Sequence, residues 1–343
     1  AARRRPAGRR KDNMLLAALG TILSLAAALT VAQWLLGRLR WHWLCWRYEL
    51  DPALGFLPAR CAGMLPPELR LWDELAVELP ALNRAGRLRT AVDELAELLP
   101  GAVAASIVDQ LRLPELRRTY VLLSAVSHSL LNGHAAVWRG TAGGSTVDVS
   151  GAIDVAGGQR TSRIPGTRPV LPSQLALPWR AACRRLGLPE VLTSTGLDLW
   201  NHPAAPRGCQ LSASSFRPLI SMSGTEAERG FHAVPLSVQL ALAPLLPQLL
   251  SAPTLIRRRN WPGGAAALTR LCGQLAHALR HVLDVLRSIE TLVDPDEFFY
   301  VYRPLLAGWD EDGLELQGVP ADEGRGGEGG AGSGSGGSGS GGG

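Results

Sequence analysis

Residues 264–293 read GAAALTRLCGQLAHALRHVLDVLRSIETLV, and this stretch decides the fold class. Leu268, Leu271, Leu275, Leu279, Val282, Leu286 and Ile289 recur at steps of three and four. On a helix they form one apolar stripe, with the arginines elsewhere. The spacing predicts one helix from Gly264 to Val293. Directly after it, Asp294-Pro295-Asp296-Glu297 has the signature of another helix start: a capping Asp, Pro at the first position and Glu three after the cap.

The same period recurs towards the N-terminus. Thr225 and Glu228 form a T-x-x-E capping box before an apolar run that Pro235, Pro244 and Pro247 must kink or divide. SQLALPWRAACRRLG is helical, and so is PPELRLWDELAVELPAL with Leu69, Trp72, Leu75 and Leu79. Leu88, Val92, Leu95 and Leu99 repeat the pattern. Leu116, Tyr120, Leu123 and Leu130 carry it to a stop at Gly133. Only Arg139–Pro172, rich in Gly, Ser and Thr, departs from it and reads as a long loop or insertion with room for a short hairpin. The expected class is all-α.

The N-terminus is of another kind. Met14 to Leu36 carries no charged residue and is long enough, at about 1.5 Å per helical residue, to span a hydrocarbon core of about 30 Å. Basic residues flank it, and Trp34, Trp41, Trp43 and Trp46 cluster at one end, as interfacial aromatics do. A retained single-pass anchor is expected, with a cleaved address peptide as the competing reading. The resulting division is a basic tail (1–13), an anchor (14–36) and a Trp/Arg juxtamembrane segment (37–47). A small helical domain (48–215) follows, holding the Gly/Ser-rich insertion 139–172. A partial large helical domain (216–318) and a flexible Gly/Ser tract (319–343) complete the chain.

With 343 residues, 46% of them hydrophobic, the chain is too apolar to be disordered throughout. Its net charge of +5 is misleading, because residues 1–47 hold nine Arg and Lys against Asp12 alone and the rest sums to −3. That balance argues against nucleic acid as a partner. Five scattered cysteines without a C-x-x-C pair argue against a disulfide framework or a structural zinc site.

One constellation bears on chemistry. Phe299 and Arg303 stand at i and i+4 on the helix opened by Asp294, with Phe298 and Tyr302 as the neighbouring pair. An aromatic ring beside a guanidinium suits an aromatic amino acid: the ring packs on the side chain, and the guanidinium takes the carboxylate through two parallel hydrogen bonds.

Several phrases occur in a fixed order: YELDPALGFLP, LPPELRLWDELAVELPALNRAGRLRTAVDEL, LPSQLALPWRAACRRLGLPEVLTSTGLDLWN, SMSGTEAERGFHAV and FFYVYRPLLAGW. Together they resemble the indoleamine 2,3-dioxygenase family of haem enzymes, from about Tyr48 to Gly318. The resemblance implies a two-domain, nearly all-helical fold in which a small domain covers haem b held by a large one. It implies an oxidoreductase that inserts both atoms of O2 across the C2–C3 bond of the tryptophan indole, giving N-formylkynurenine, the entry to tryptophan catabolism by the kynurenine pathway. Tryptophan or a related indole and O2 are the partners the resemblance implies, and the membrane is the partner the N-terminal apolar run implies. No side chain is expected to act as acid, base or nucleophile.

Carried across residue by residue, Arg303 matches the arginine that takes the substrate carboxylate. Phe298 and Phe299 match the aromatic pair before it, and Phe231 a distal-pocket phenylalanine. His232 stands where the family commonly has Phe or Tyr, and Pro235 where some members have Ser. No residue matches the proximal haem ligand, since the histidines are His42, His128, His134, His202, His232, His277 and His281 and none follows Trp309. His277 and His281, at i and i+4, are expected to decorate a solvated face, so no metal ligand is assigned. The expectation is therefore a fragment or a degenerate relative whose large domain is incomplete. The alternative is a non-catalytic, haem-free, membrane-anchored relative that serves as a binding or interaction module.

Overall fold

The computed structural model describes residues 8–51, 54–58, 63–133, 168–203, 216–257, 259–309 and 313–320. Most of the insertion expected at 139–172, and nearly all of the Gly/Ser tract at 319–343, lie outside these residues. The described residues are mostly helical, as the periodicity requires. Its contacts divide it into two compact units, one of residues 1–58 and 239–280, the other of 59–238 and 281–343.

In the first unit, α1 (Gly8–Tyr48) is a single unbroken helix of 41 residues. The chain then turns through a bridge between Asp51 and Gly55. Gly55 has φ of 67° and packs against Ala243, where an added Cβ would lie 3.1 Å from the alanine methyl.

The second unit holds the larger core. Helices α2 (Arg70–Ala85), α3 (Leu88–Leu98), α4 (Gly101–Val108), α5 (Leu113–Asn132) and α6 (Ser173–Leu186) bury the stripes read from the sequence, with Leu69, Trp72, Leu79, Val92, Leu123 and Trp179 among the enclosed side chains. Gly86 and Gly187 end α2 and α6 in the left-handed region. Some of the polar groups inside are paired across the helices. Asp73 accepts from Leu65 N at 2.6 Å and from Arg118 Nε at 2.7 Å, and Trp179 Nε1 donates to Ser124 Oγ at 2.9 Å.

Helix α7 (Glu226–Leu242) passes through Pro235 without ending. The division falls at a 3-10 turn, Ala243–Leu245, which contains Pro244. Pro247 then occupies the first turn of α8 (Leu246–Arg257), where its missing N–H costs nothing. Residues 226–250 are long and apolar enough to cross a membrane. Glu228 and His232, both buried and hydrogen-bonded within the protein, mark the first half as core.

Two expectations are corrected. The helix expected to run from Gly264 to Val293 stops earlier: α9 covers Gly264–Arg287, Ser288 turns the chain, and α10 (Ile289–Leu292) follows. Ser288 Oγ donates to Val285 O at 2.6 Å, the local side-chain bond by which serine competes with helix continuation. Of the stripe, Leu271 and Val282 are buried, while Leu279, Leu286 and Ile289 remain exposed. Secondly, Val170–Leu171, placed in the loop by the sequence, forms β1. It pairs in parallel with β2 (Glu315–Leu316) in a two-residue ladder.

Candidate functional site

Three short elements of the second unit converge on α7. The caps read from the sequence build two of the junctions. Asp294 Oδ1 accepts from Glu297 N at 2.8 Å and opens α11 (Pro295–Glu297). Glu297 does not turn back on its own cap. Its Oε2 accepts from Ala227 N at 2.9 Å and so caps the start of α7 across the fold. Thr225 Oγ1 accepts from Glu228 N at 3.1 Å, one half of the expected box.

The other half is replaced. The buried Glu228 carboxylate collects the preceding loop, taking Met222 N at 2.8 Å, Ser223 N at 2.8 Å and Gly224 N at 3.0 Å, with the hydroxyls of Ser221 and Ser223 both at 2.6 Å. Five donors on one carboxylate hold residues 221–224 rigidly at the entrance to α7. Gly230 lets α7 lie against α10, since a Cβ there would come within 2.2 Å of Leu292 O.

After α11 the chain widens into a π-helical turn, Phe298–Tyr302, before the short α12 (Arg303–Leu305). The wide turn sends its aromatics two ways. Phe298 tilts over Phe231 of α7, centroids 4.9 Å apart and planes 30° apart, and lies 6.0 Å from the Tyr302 ring. Phe299 points outward, half exposed, with the Arg303 guanidinium over its face at 5.1 Å. The four residues singled out in the sequence thus form two pairs, Phe231 with Phe298 and Phe299 with Arg303, carried by α7 and one turn.

Sequence reasoning gave no site role to the groups that tie these elements together. Tyr302, fully buried, reaches His232 Nε2 with its hydroxyl at 2.7 Å. His232 Nδ1 faces Asp198 Oδ1 at 3.5 Å, without hydrogen-bond alignment. Asp198 lies in a second π-helical turn, Thr195–Trp200. Burial, with the Glu228 and Asp198 carboxylates nearby, raises the Tyr302 phenol well above its usual range, so it stays protonated. A polar residue at position 232 was visible in the sequence, but nothing marked Asp198 or Tyr302 as its partners.

Haem requires an axial ligand whose free nitrogen faces a pocket able to enclose the macrocycle. Among the described residues no histidine meets that requirement. His128 is buried, accepts from Leu192 N at 2.9 Å through Nε2, and stacks 4.7 Å from Trp309. His232 Nε2 is engaged by Tyr302. His202 Nδ1 pairs with Pro203 O at 2.8 Å, and Nε2 is enclosed without a partner. His42, His277 and His281 lie exposed along helices. No cluster of three metal-ligating side chains occurs among the described residues. The pairs Phe231–Phe298 and Phe299–Arg303 are in place, and no axial histidine is found among the described residues.

A family profile described as Indoleamine 2,3-dioxygenase matches residues 45–341. The chain is 25% identical over 277 residues to rat (Rattus norvegicus) indoleamine 2,3-dioxygenase 1, covering 79% of this chain and 58% of that protein. It is 27% identical over 281 residues to mouse (Mus musculus) indoleamine 2,3-dioxygenase 2, with 80% and 60% covered. It is 26% identical over 272 residues to the indoleamine 2,3-dioxygenase of Saccharomyces cerevisiae, with 77% and 52% covered. The chain thus spans a little over half the length of these curated relatives.

Proposed function

The chain belongs to the indoleamine 2,3-dioxygenase family, and on that premise we propose that it forms the substrate side of a haem-dependent dioxygenase acting on tryptophan or a closely related indole amino acid. The observation that carries the reading is the pairing at the π-helical turn: Phe298 tilted over Phe231 of α7, and Arg303 at the start of α12 held over Phe299. In this reading the tilted rings provide an apolar wall for the indole, and Arg303 takes the carboxylate. Haem is the cofactor by family and would supply the activation of O2. No step is assigned through it, because the described histidines do not fit as its ligand.

The assignment is tested on Arg303 in the protein loaded with haem. Arg303→Ala removes a charge-assisted bidentate pair, which is worth about 1.5–3 kcal/mol, so tryptophan use should fall about tenfold to a hundredfold with haem uptake unchanged. Arg303→Lys should not restore it, since an ammonium lacks the planar fork. Equal kinetics for wild type and Arg303→Ala would remove this residue from the site.

We further propose that α1 anchors the protein in a membrane. Support comes from the uncharged run Met14–Leu36 and from the exposed Leu25, Leu29, Val31, Leu36 and Leu39 of one continuous helix.

A further inference from the structure

His232 sits where two elements of the same uncommon kind meet. Among the described residues, only Thr195–Trp200 and Phe298–Tyr302 take π-helical turns. Such turns widen the helix and are frequent at functional sites. Asp198 belongs to the first and Tyr302 to the second, and His232 touches both through opposite ring nitrogens.

Tyr302 remains an O–H in its buried position and shares a 2.7 Å hydrogen bond with His232 Nε2, the imidazole tautomer setting which of the two donates. The other ring nitrogen, Nδ1, is the atom facing Asp198 Oδ1. Tyr302 is thereby tethered at its far end, while Phe231 and Phe298 hold its ring at 5.9 Å and 6.0 Å.

The next residue is Arg303. Its guanidinium lies outside the buried cluster, over Phe299, so its reach is set by the backbone from which it leaves. That backbone is fixed by the tether on Tyr302. A bidentate fork tolerates misplacement of only about 0.5 Å or 10–20° before one of its two bonds is lost.

We propose that His232 is a positioning residue which, through Tyr302, sets the reach of Arg303 and makes the site select a free indole amino acid over the corresponding amine. The proposal rests on the assignment of Arg303 to the substrate carboxylate made above. Phenylalanine at 232 could keep the ring packing, but it would leave the buried Tyr302 hydroxyl without its partner and the turn free to shift.

The test compares L-tryptophan with tryptamine, which has the same indole and amine but no carboxylate. Affinities are measured by calorimetry for the wild type, Tyr302→Phe, His232→Phe and His232→Gln, each with and without Arg303→Ala. Tyr302→Phe and His232→Phe should weaken tryptophan about tenfold, the loss of one good hydrogen bond's worth of alignment, and tryptamine less than about twofold. His232→Gln, whose amide oxygen can accept from Tyr302, should recover most of the difference. In the Arg303→Ala background the effect of Tyr302→Phe on tryptophan should vanish. Equal weakening of both ligands, or an unchanged ratio, would overturn the inference and leave the Arg303 assignment standing. A wild type that binds both ligands but is indifferent to Arg303→Ala would remove that assignment and the inference with it. If His232→Phe does not fold, Tyr302→Phe, which removes a single oxygen atom, decides alone.

Discussion

At the scale of single residues, buried titratable groups set how the fold answers to pH. His128 is fully enclosed, with Nε2 bound to Leu192 N and its ring 4.7 Å from Trp309. Burial pulls its pKa down to about 4, the carbonyls of Leu305 and Ala307 offsetting this only in part. The folded state therefore prefers the neutral ring, while the unfolded chain takes up a proton near pH 6.5. Stability is full above that value and drains away as pH falls towards 4. His128 alone should make the protein about 2 kcal/mol less stable at pH 5 than at pH 7. His202, also lowered by burial, acts in the same direction. Urea midpoints measured across this range should show the decline, and His128→Gln should flatten it while lowering stability at pH 7. A slope unaltered by that substitution would mean that His128 is not buried neutral. Glu228 makes a second case. Glu228→Gln puts an amide among five donors and keeps at most part of the cage, a loss of about 2–3 kcal/mol from bonds to a charged acceptor. Limited proteolysis should then open residues 221–224 first, and unchanged protection would deny the carboxylate its role as the clamp.

At the scale of elements, what was legible in the sequence was local. The stripes of α2, α3 and α5, the Asp294 cap and the Thr225 half-box all follow from residues within one or two turns of each other. What was not legible depends on partners far along the chain. Glu228 was read as closing a box on its own cap, yet its carboxylate is taken by a loop that no helix pattern marks. The pairing of Val170–Leu171 with Glu315–Leu316 joins two dipeptides too short to show a period. The π-helical turns keep i, i+4 neighbours close enough for Phe299 and Arg303 to meet, so their pairing was foreseen although the widening was not. The meeting of Phe231 with Phe298 was not legible, and the Asp198–His232–Tyr302 chain beside them was missed. Close approach of elements is equally hidden. Gly230→Ala should push α7 away from α10, because the new methyl would lie 2.2 Å from the backbone oxygen of Leu292, which cannot rotate aside. Overpacking of this kind costs about 1–3 kcal/mol. The expected signs are a lower melting temperature and weakened tryptophan affinity, since Phe231 follows directly in α7. A variant as stable as wild type would show that the two helices are not in contact as described.

At the scale of the whole molecule, the family match and the apolar N-terminal run fall in different parts of the chain. The match begins at residue 45, while the uncharged run ends at Leu36. A helix of 41 residues rises about 60 Å, twice the hydrocarbon thickness, so α1 is long enough for an apolar span with ends in the headgroup regions. Most of its described apolar side chains are exposed, Leu25 at 67% and Leu36 at 66%, and Trp43 and Trp46 are exposed towards its end. In water such a surface would drive association. In a bilayer it is the surface that lipid covers, with the tryptophans at the interface. The protein should therefore pellet with membranes and resist extraction by alkaline carbonate. Removal of residues 1–44 leaves the matched region whole and keeps the contact of Gly55 with Ala243, so the shortened chain should pass to the soluble fraction with its helical content otherwise kept. Recovery of the intact chain in the carbonate supernatant would refute the anchor. A soluble chain whose mature N-terminus lies near Tyr48 would show instead that the segment is an address removed after delivery.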